Sequence, residues 1–221
     1  MNLDKLFPYR VFVSRLARED RRQTLMPRLT AIGLGDARWF PAIECDVLKG
    51  DTRGFFSLAK RSCAIGKRLV LREAGRSRVP NVLFLEDDVV FHTEFNARVE
   101  ALQLPDDWGL FYFGCQHAEP PQWISAGVVR INRALDMHAV AINAKYFLQV
   151  RKAMRGHGKG THGKLHSDVL LSYFHKSIPT YAAFPNLAWQ AKGYSDNTRT
   201  IKSYYYDDGR QKPNAHLLSH L

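Results

Sequence analysis

The chain has 221 residues, 45% hydrophobic and 24% charged, which is ordinary for a globular domain and excludes a disordered or collagen-like protein. Its 32 basic residues against 21 acids give a net charge of +11, which favours an anionic partner such as a nucleotide, a nucleic acid or an acidic membrane surface. Three cysteines without a metal-type spacing indicate reduced thiols, and no apolar run is long enough for a signal peptide or a membrane span. We therefore expect a cytoplasmic protein, with peripheral contact at the inner membrane left open.

The first part of the chain alternates between strand and helix patterns. We predict a strand at Arg10–Ser14, a helix at Glu19–Ile32 that Pro27 kinks or splits, an edge strand at Ala37–Ile43 and a helix at Phe55–Ala74. A further strand follows. The order β-α-β-α-β predicts an α/β fold with a mostly parallel central sheet flanked by helices.

That further strand, Val82–Phe91, is apolar except for Glu86, Asp87 and Asp88. An unbroken apolar run is typical of a central strand buried on both faces, and ligands of open α/β sheets bind at the carboxyl ends of such strands. Because successive strand residues point to opposite faces, Glu86 and Asp88 should share one side while Asp87 points away. Carboxylate pairs of this kind bind Mg²⁺ or Mn²⁺. The alternative is a solvated strand end that forms salt bridges.

The second part of the chain continues with shorter elements. We predict a helix at Glu94–Leu102, a strand at Trp108–Phe113, a strand or hairpin at Trp123–Ile131 and a strand at His138–Ile142. A helix after Asn143, a helix at Ser167–His175 and a strand at Thr180–Phe184 follow. A flexible basic loop is predicted at 156–164. We assign residues 1–196 to one domain with a small β-hairpin, and residues 197–221 to a polar, aromatic tail that packs on the domain or flanks it.

A group of polar and basic residues follows the first strand. Ser14, Arg15, Arg18 and Arg21 stand where a helix begins, and helix N-termini and arginine side chains both favour phosphate. The alternative is a solvated basic helix face. No Gly-x-x-x-x-Gly-Lys-Ser/Thr pattern occurs, so the sequence lacks the Walker signature.

Asp168 is the candidate general base, because it opens a predicted helix just after the basic loop and could take a proton from an acceptor hydroxyl. The alternative is an acid that stabilises the N-terminus of its helix. His138 precedes an apolar strand, and on the sequence alone it is the kind of histidine that is satisfied within a core.

Several of these patterns together resemble glycosyltransferase family 25, the lipooligosaccharide and procollagen galactosyltransferase group. The matching residues are Leu85-Glu86-Asp87-Asp88, Leu16 with Arg18, Arg21 and Asp20, His138-Ala139-Val140-Ala141-Ile142-Asn143, Asp168 with Leu171, Tyr181, Pro185, Gln190 and Ser195-Asp196. The resemblance covers about residues 10 to 196. The chain departs from the family at Lys67, where a histidine is usual.

The resemblance implies a GT-A-like fold and a hexosyltransferase that uses a nucleotide-sugar donor, with a UDP-sugar favoured, and inverts the anomeric centre. It implies Mn²⁺ or Mg²⁺ at Asp88, assisted by Glu86. Besides Ser14, Arg15, Arg18 and Arg21, we expect Lys67, Asp87 and His138 on the nucleotide-sugar side. Asp168 is then the base that acts on the acceptor.

The acceptor stays open at the level of the sequence. The family default is a bacterial surface glycan such as lipooligosaccharide. The alternative is DNA with hydroxymethylated pyrimidines, modified by a phage protein in the host cytoplasm, which would better explain the charge of +11. A metal-dependent nuclease or a non-catalytic nucleic-acid-binding protein is a further alternative. Loss of activity in Asp88→Ala with the fold intact would separate an enzyme from a binder.

Overall fold

The computed structural model describes residues 3–52, 55–155, 166–195, 200–203, 205, 208–210 and 212. In this part of the chain the α-helices are α1 Leu3–Leu6, α2 Glu19–Ala31, α3 Leu58–Arg76, α4 Phe95–Ala101, α5 Phe147–Ala153 and α6 Ser167–Ser172. Short 3₁₀ helices span Cys45–Leu48 and Ala144–Tyr146. The strands are β1 Arg10–Ser14, β2 Arg38–Pro41, β3 Asn81–Glu86, β4 Val89–Phe91, β5 Leu110–Tyr112, β6 Gln116–His117, β7 Gln122–Ser125, β8 Val128–Arg130, β9 Ala134–Leu135, β10 Ala139–Asn143, β11 Thr180–Ala183, β12 Ala188–Gln190, β13 Gly193–Ser195 and β14 Thr200–Lys202.

Eight strands form the central sheet in the order β2-β1-β3-β10-β5-β11-β8-β7. Six of them point in one direction, whereas β10 and β8 run antiparallel to their neighbours. The α/β fold with a mostly parallel central sheet is therefore confirmed. The predicted β-α-β-α-β unit places β1 between β2 and β3, parallel to both, and β2 lies at the edge, where Pro41 does not interrupt a central ladder.

Helices cover both faces of the sheet. Leu25 and Leu29 of α2 and Phe95 of α4 pack with one set of strand side chains, and α3, α5 and α6 pack with the other set. Helix α3 follows the sheet because Val70 and Leu71 face inward, while Arg72 and Arg76 face outward. The carboxyl ends of the strands are left uncovered by these helix layers, so a ligand can reach them.

Two predicted details differ from the structure. Helix α2 continues through Pro27 instead of splitting, because Pro27 is exposed and the carbonyl that loses its hydrogen bond can be solvated. The strand predicted at Val82–Phe91 ends at Glu86, the chain turns at Asp87 and Asp88, and β4 begins at Val89. This turn decides how the acids are arranged.

The last part of the described chain returns to the sheet. Strand β12 pairs with β4, and β13 pairs with β14, which lies beyond residue 196. Tyr205 is buried and donates a hydrogen bond to Oδ2 of Asp136 at 2.6 Å. The 156–164 loop and most of the 197–221 tail lie outside the described residues. Cys45, Cys63 and Cys115 are free thiols, and no helix in the described ranges is both long and apolar enough to cross a membrane.

Candidate active site

A cavity of about 700 Å³ lies at the carboxyl ends of β1 and β3. Its volume is within the range of small-molecule sites. Its walls come from the end of β1, the N-terminus of α3, the acid turn, β12 and β13. The lining residues are Val13, Ser14, Arg15, Arg21, Ala42, Cys45, Phe56, Ser57, Leu58, Ala59, Ser62, Cys63, Phe84, Glu86, Asp87, Asp88, Gln190, Tyr194 and Ser195.

All three acids line this cavity, so the expectation that Asp87 points away is wrong. The alternation rule holds only within a strand, and β3 ends at Glu86. The backbone turn at Asp87 and Asp88 brings the three carboxylates onto the same side.

Asp87 is held by two protein partners. Ser14 Oγ donates to its Oδ2 at 2.7 Å, and Arg21 Nη1 donates to its Oδ1 at 2.7 Å. The same guanidinium reaches Asp88 Oδ2 at 3.3 Å and donates through Nη2 to the Tyr194 carbonyl at 2.5 Å. Arg21 thereby connects α2, the acid turn and β13, and the charges of Asp88 and Asp87 outweigh the effect of burial and raise its pKa.

Glu86 also has both oxygens engaged. Lys67 Nζ lies 2.9 Å from its Oε1, and Gln190 Nε2 donates to its Oε2 at 3.0 Å. Burial alone would raise the pKa of this carboxyl, but the Lys67 ammonium lowers it below its ordinary value. Glu86 is therefore ionised at neutral pH, and it would have to release Lys67 or Gln190 to bind another cation.

Asp88 differs from its neighbours. Its Oδ1 is buried and has no hydrogen-bond partner, whereas Oδ2 is within reach of Arg21. Burial and the neighbouring charge of Glu86 raise the pKa of Asp88 to about 7, and Arg21 offsets only part of this effect. A carboxylate in this environment is stabilised by a proton or by a metal cation.

These residues fit a divalent metal that takes one carboxylate oxygen from the protein. Within the described ranges, no group of three or more His, Cys, Asp or Glu side chains is arranged to hold a metal. Mg²⁺ commonly binds through one or two carboxylates and completes its shell with water and substrate phosphates. Asp88 Oδ1 offers such a ligand, whereas the predicted second ligand, Glu86, is occupied by Lys67 and Gln190.

The other residues predicted for the site lie behind or beside the cavity wall. Lys67 is 4% exposed, and besides Glu86 its Nζ contacts Ser167 Oγ at 3.3 Å. Although burial opposes its charge, Cys63 and Glu86 raise the pKa of Lys67. His138 is fully buried, with Nε2 3.1 Å from the Ala188 carbonyl, and burial lowers its pKa. Neither side chain can contact a ligand in the cavity directly.

Asp168 and Arg18 are also outside the cavity lining. The Asp168 carboxylate accepts a hydrogen bond from the Asp136 backbone N–H at 3.2 Å. Burial would raise its pKa, but Lys60 and Lys67 lower it below the ordinary value. Arg18 forms an ion pair with Asp20 at 2.8 Å, and Arg15, which does line the cavity, pairs with Glu44 at 3.0 Å.

Several cavity residues were missing from the sequence-based set. Gln190 and Tyr194 come from the end of the described chain, and no local pattern indicates that they return to β3. Ser57 could have been found, because it precedes an amphipathic helix of 19 residues and its side chain caps it by accepting from the Lys60 N–H. The N-terminus of α3 with the exposed Phe56 forms one wall of the cavity.

No protein-family model and no curated protein sequence matches the chain. Solved structures resemble this chain only weakly, and three of them serve as examples. A protein from STIV has a TM-score of 0.45 at 13% identity, over 87% of this chain and 92% of that chain. A glycosyltransferase involved in the glycosylation of the major capsid of PBCV-1 has a TM-score of 0.40 at 8% identity, over 66% of this chain and 65% of that chain.

The third is a Drosophila β-1,4-galactosyltransferase 7 in complex with manganese, UDP-Gal and xylobiose. It has a TM-score of 0.45 at 10% identity, over 96% of this chain and 79% of that chain. Likenesses of this size establish neither a family nor an activity, so the functional assignment starts from the geometry of the cavity.

Proposed function

We propose that the chain is a metal-dependent glycosyltransferase that moves a hexosyl group from a nucleotide-sugar, with a UDP-sugar favoured, to an acceptor hydroxyl. One observation carries the proposal. Arginine side chains, a helix N-terminus and a buried carboxylate with one unpaired oxygen meet in a single cavity at the carboxyl ends of β1 and β3. A nucleoside diphosphate linked to a sugar has the charge and the size for this combination.

The cavity can hold the diphosphate through the protein alone. Arg15 and Arg21 supply positive charge, and Ser57 opens a helix of 19 residues whose N-terminal dipole favours anions. The exposed ring of Phe56 offers a flat apolar surface at the same wall. These groups would orient the donor and stabilise the negative charge that grows on the leaving diphosphate.

Asp88 is the residue that would hold Mn²⁺ or Mg²⁺. The cation would supply Lewis-acid stabilisation of the phosphate oxygens. Glu86 and Asp87 support it indirectly, because their bonds to Lys67, Gln190, Ser14 and Arg21 fix the turn that carries Asp88.

Asp168 is the candidate base. Its lowered pKa keeps the Asp168 carboxylate ionised at neutral pH. Its charge also acts on Glu86, where it offsets a small part of the effect by which Lys67 lowers the pKa of Glu86. In the proposed step the acceptor oxygen attacks the anomeric carbon, the bond from that carbon to the diphosphate breaks, and the hydroxyl proton passes to Asp168. A single displacement of this kind inverts the anomeric centre.

The acceptor proposed by default is a bacterial surface glycan of the lipooligosaccharide type, as the family resemblance implies. A second candidate is DNA that carries hydroxymethylated pyrimidines. It is favoured by the net charge of +11. In either case the acceptor hydroxyl must reach both the anomeric carbon of the donor in the cavity and Asp168, which lies outside the cavity lining.

A donor panel tests the proposal. The protein is incubated with UDP-, GDP- and CMP-sugars and Mn²⁺, with and without hydroxymethylated DNA, and nucleotide release is measured. We expect release from one donor class, its loss in Asp88→Asn, and unchanged release in Arg98→Gln, because Arg98 pairs with Glu94 and does not line the cavity. Absence of release from every donor, with and without acceptor, would refute the transferase assignment.

A further inference from the structure

Four arginines meet where α3 and α5 pack together. Arg68 and Arg72 belong to α3, Arg151 belongs to α5, and Arg155 follows α5. The two helices are in contact: a Cβ atom on Gly75 of α3 would lie 3.8 Å from the ring of Phe147 of α5. In keeping with this packing, burial and the positive charges of Arg155, Arg151 and Arg72 lower the pKa of Arg68. In the part of the chain that the structure describes, no carboxylate forms an ion pair with any of the four. We call this group the arginine cluster.

Two members of the cluster are only partly hydrated. The Nε atoms of Arg68 and Arg151 are buried and have no hydrogen-bond partner. An unsatisfied buried donor destabilises the fold, more so when it is charged, and repulsion among like charges adds to that cost. An anion that binds to the exposed side of the cluster would offset the repulsion. The cluster is thus better suited to binding an anion than to stabilising the fold.

The cluster continues as a line along α3. Arg68, Arg72 and Arg76 are spaced by four residues, so each is about 6 Å further along the helix and all lie within one face. Arg72 and Arg76 are exposed, so the line of positive charge faces solvent at this end of α3.

We infer that the arginine cluster binds the phosphodiester backbone of a nucleic acid. The planar fork of arginine suits phosphate oxygens, whereas attraction to lipid headgroups does not distinguish arginine from lysine. The exposed positions of α3 are Arg72, Gly75 and Arg76, so no apolar face accompanies the arginines of that helix. On α5 a single large apolar side chain, Leu148, is exposed beside the cluster, which is less than an apolar face that could enter a bilayer.

The inference concerns binding and goes beyond the transferase proposal. Nucleic-acid binding is measured without any sugar donor, so the binding inference and the transferase proposal can each fail independently. If both hold, DNA would be favoured as the acceptor.

Fluorescence anisotropy with single-stranded and duplex oligonucleotides of about 20 nucleotides tests it, over a range of salt concentrations. The variant Arg72→Gln/Arg155→Gln changes two exposed residues and leaves the partly buried pair in place. The matched control, Arg98→Gln/Arg130→Gln, removes the same charge from the other face of the sheet.

We expect the wild type to bind at about 100 mM salt and the cluster variant to bind about tenfold or more weakly. Its slope of log affinity against log salt should fall by about 2. The control should stay within about twofold of the wild type. Three results would overturn the inference: no oligonucleotide binding by the wild type, equal loss in both variants, or cluster-dependent binding only to vesicles that contain phosphatidylglycerol.

Discussion

The three acids at the end of β3 have different partners, and this divides their roles. Both oxygens of Glu86 and both oxygens of Asp87 are engaged by Lys67, Gln190, Ser14 and Arg21. Asp88 alone has an unpaired buried oxygen. We therefore expect Glu86 and Asp87 to hold the turn and Asp88 to contact the ligand.

The first prediction concerns metal binding by Asp88. Mn²⁺ should raise the melting temperature of the wild type at pH 8, because the cation relieves the buried charge and binds only the folded state. Asp88→Asn should melt at least as high as the metal-free wild type and gain little from Mn²⁺. Differential scanning fluorimetry of chelator-treated protein gives the comparison, and equal stabilisation of both proteins by Mn²⁺ would exclude Asp88 as the ligand.

The second prediction concerns the buried ion pair of Lys67 and Glu86. Lys67→Met should lower the free energy of unfolding by about 3–5 kcal/mol, because it leaves Glu86 charged without its cation. Urea denaturation measures the loss, and Lys67→Met/Glu86→Gln should recover part of it. As a control, Lys176→Met removes an exposed partner of Glu119 and should cost less than about 1 kcal/mol. A double variant no more stable than the single one would contradict the pairing.

The third prediction concerns pH. Burial and the neighbouring Arg133 lower the pKa of His175 to about 3, and its Nδ1 accepts a hydrogen bond from the Ala134 N–H. An unfolded histidine takes up a proton below about pH 6.5, whereas the folded one does not. Its contribution to stability is therefore complete above about pH 6.5 and is lost as the pH falls toward 3.

Urea denaturation at pH 7 and at about pH 4.5 tests this effect of His175, which approaches 1.4 kcal/mol for each pH unit. His175→Gln should be less stable than the wild type at pH 7 but should lose less stability on acidification. Identical losses of stability in the two proteins would show that His175 does not cause the destabilisation at acidic pH.

Sequence patterns predicted the strand that ends at Glu86, because a strand buried on both faces requires an unbroken apolar run. They could not divide the roles of the acids, since Lys67 and Gln190 are 19 and 104 residues away from Glu86 along the chain. The error over Asp87 arose because the apolar pattern resumes at Val89, which hides the turn. The unpaired oxygen of Asp88 results from burial in three dimensions and has no signature in the sequence.

Among the elements of the fold, the end of β5 comes very close to the start of β12 at Gly114. A Cβ atom on Gly114 would lie 1.7 Å from the Ala188 carbonyl oxygen, so β12 can approach β5 only where residue 114 is glycine. Strand β12 carries Gln190, the second partner of Glu86. Packing of this strand therefore determines the position of the acid turn.

The fourth prediction tests that dependence. Gly114→Ala should destabilise the fold by more than about 3 kcal/mol, because backbone must move to remove the clash. It should also abolish stabilisation by a UDP-sugar with Mn²⁺. Gly193→Ala is the matched control: its added Cβ would meet nothing within 4 Å, and it should stay within about 0.5 kcal/mol of the wild type. Thermal unfolding of both variants, with and without ligand, decides the matter.

Regular elements were easier to predict than the connections between them. A strand or hairpin was predicted at Trp123–Ile131, and the structure has a hairpin of β7 and β8 in which Gly127 adopts a φ of 75° at the turn. The pairings of β4 with β12 and of β6 with β9 were not predicted, because strands of two or three residues carry no measurable period.

At the scale of the whole molecule, positive charge is in excess and is partly concentrated on the layer formed by α3 and α5. A net charge of +11 destabilises the compact state by self-repulsion, and salt screens it. The fifth prediction is that raising NaCl from about 50 to about 500 mM increases the melting temperature of the wild type. Arg72→Gln/Arg155→Gln should show a smaller increase, and an equal or larger one would count against clustered repulsion.

The contact between Arg21 and the Tyr194 carbonyl joins residues 173 positions apart in the chain. Strands β1, β2 and β3 and helices α2 and α3 are all synthesised long before Gln190 and Tyr194. A nascent chain that ends before residue 190 would therefore hold the acid turn without its second wall. Because domains fold as units during synthesis only when their contacts are available, the cavity is completed only after residues 190–195 have emerged. The order of synthesis thus makes ligand binding a late event in the maturation of this protein.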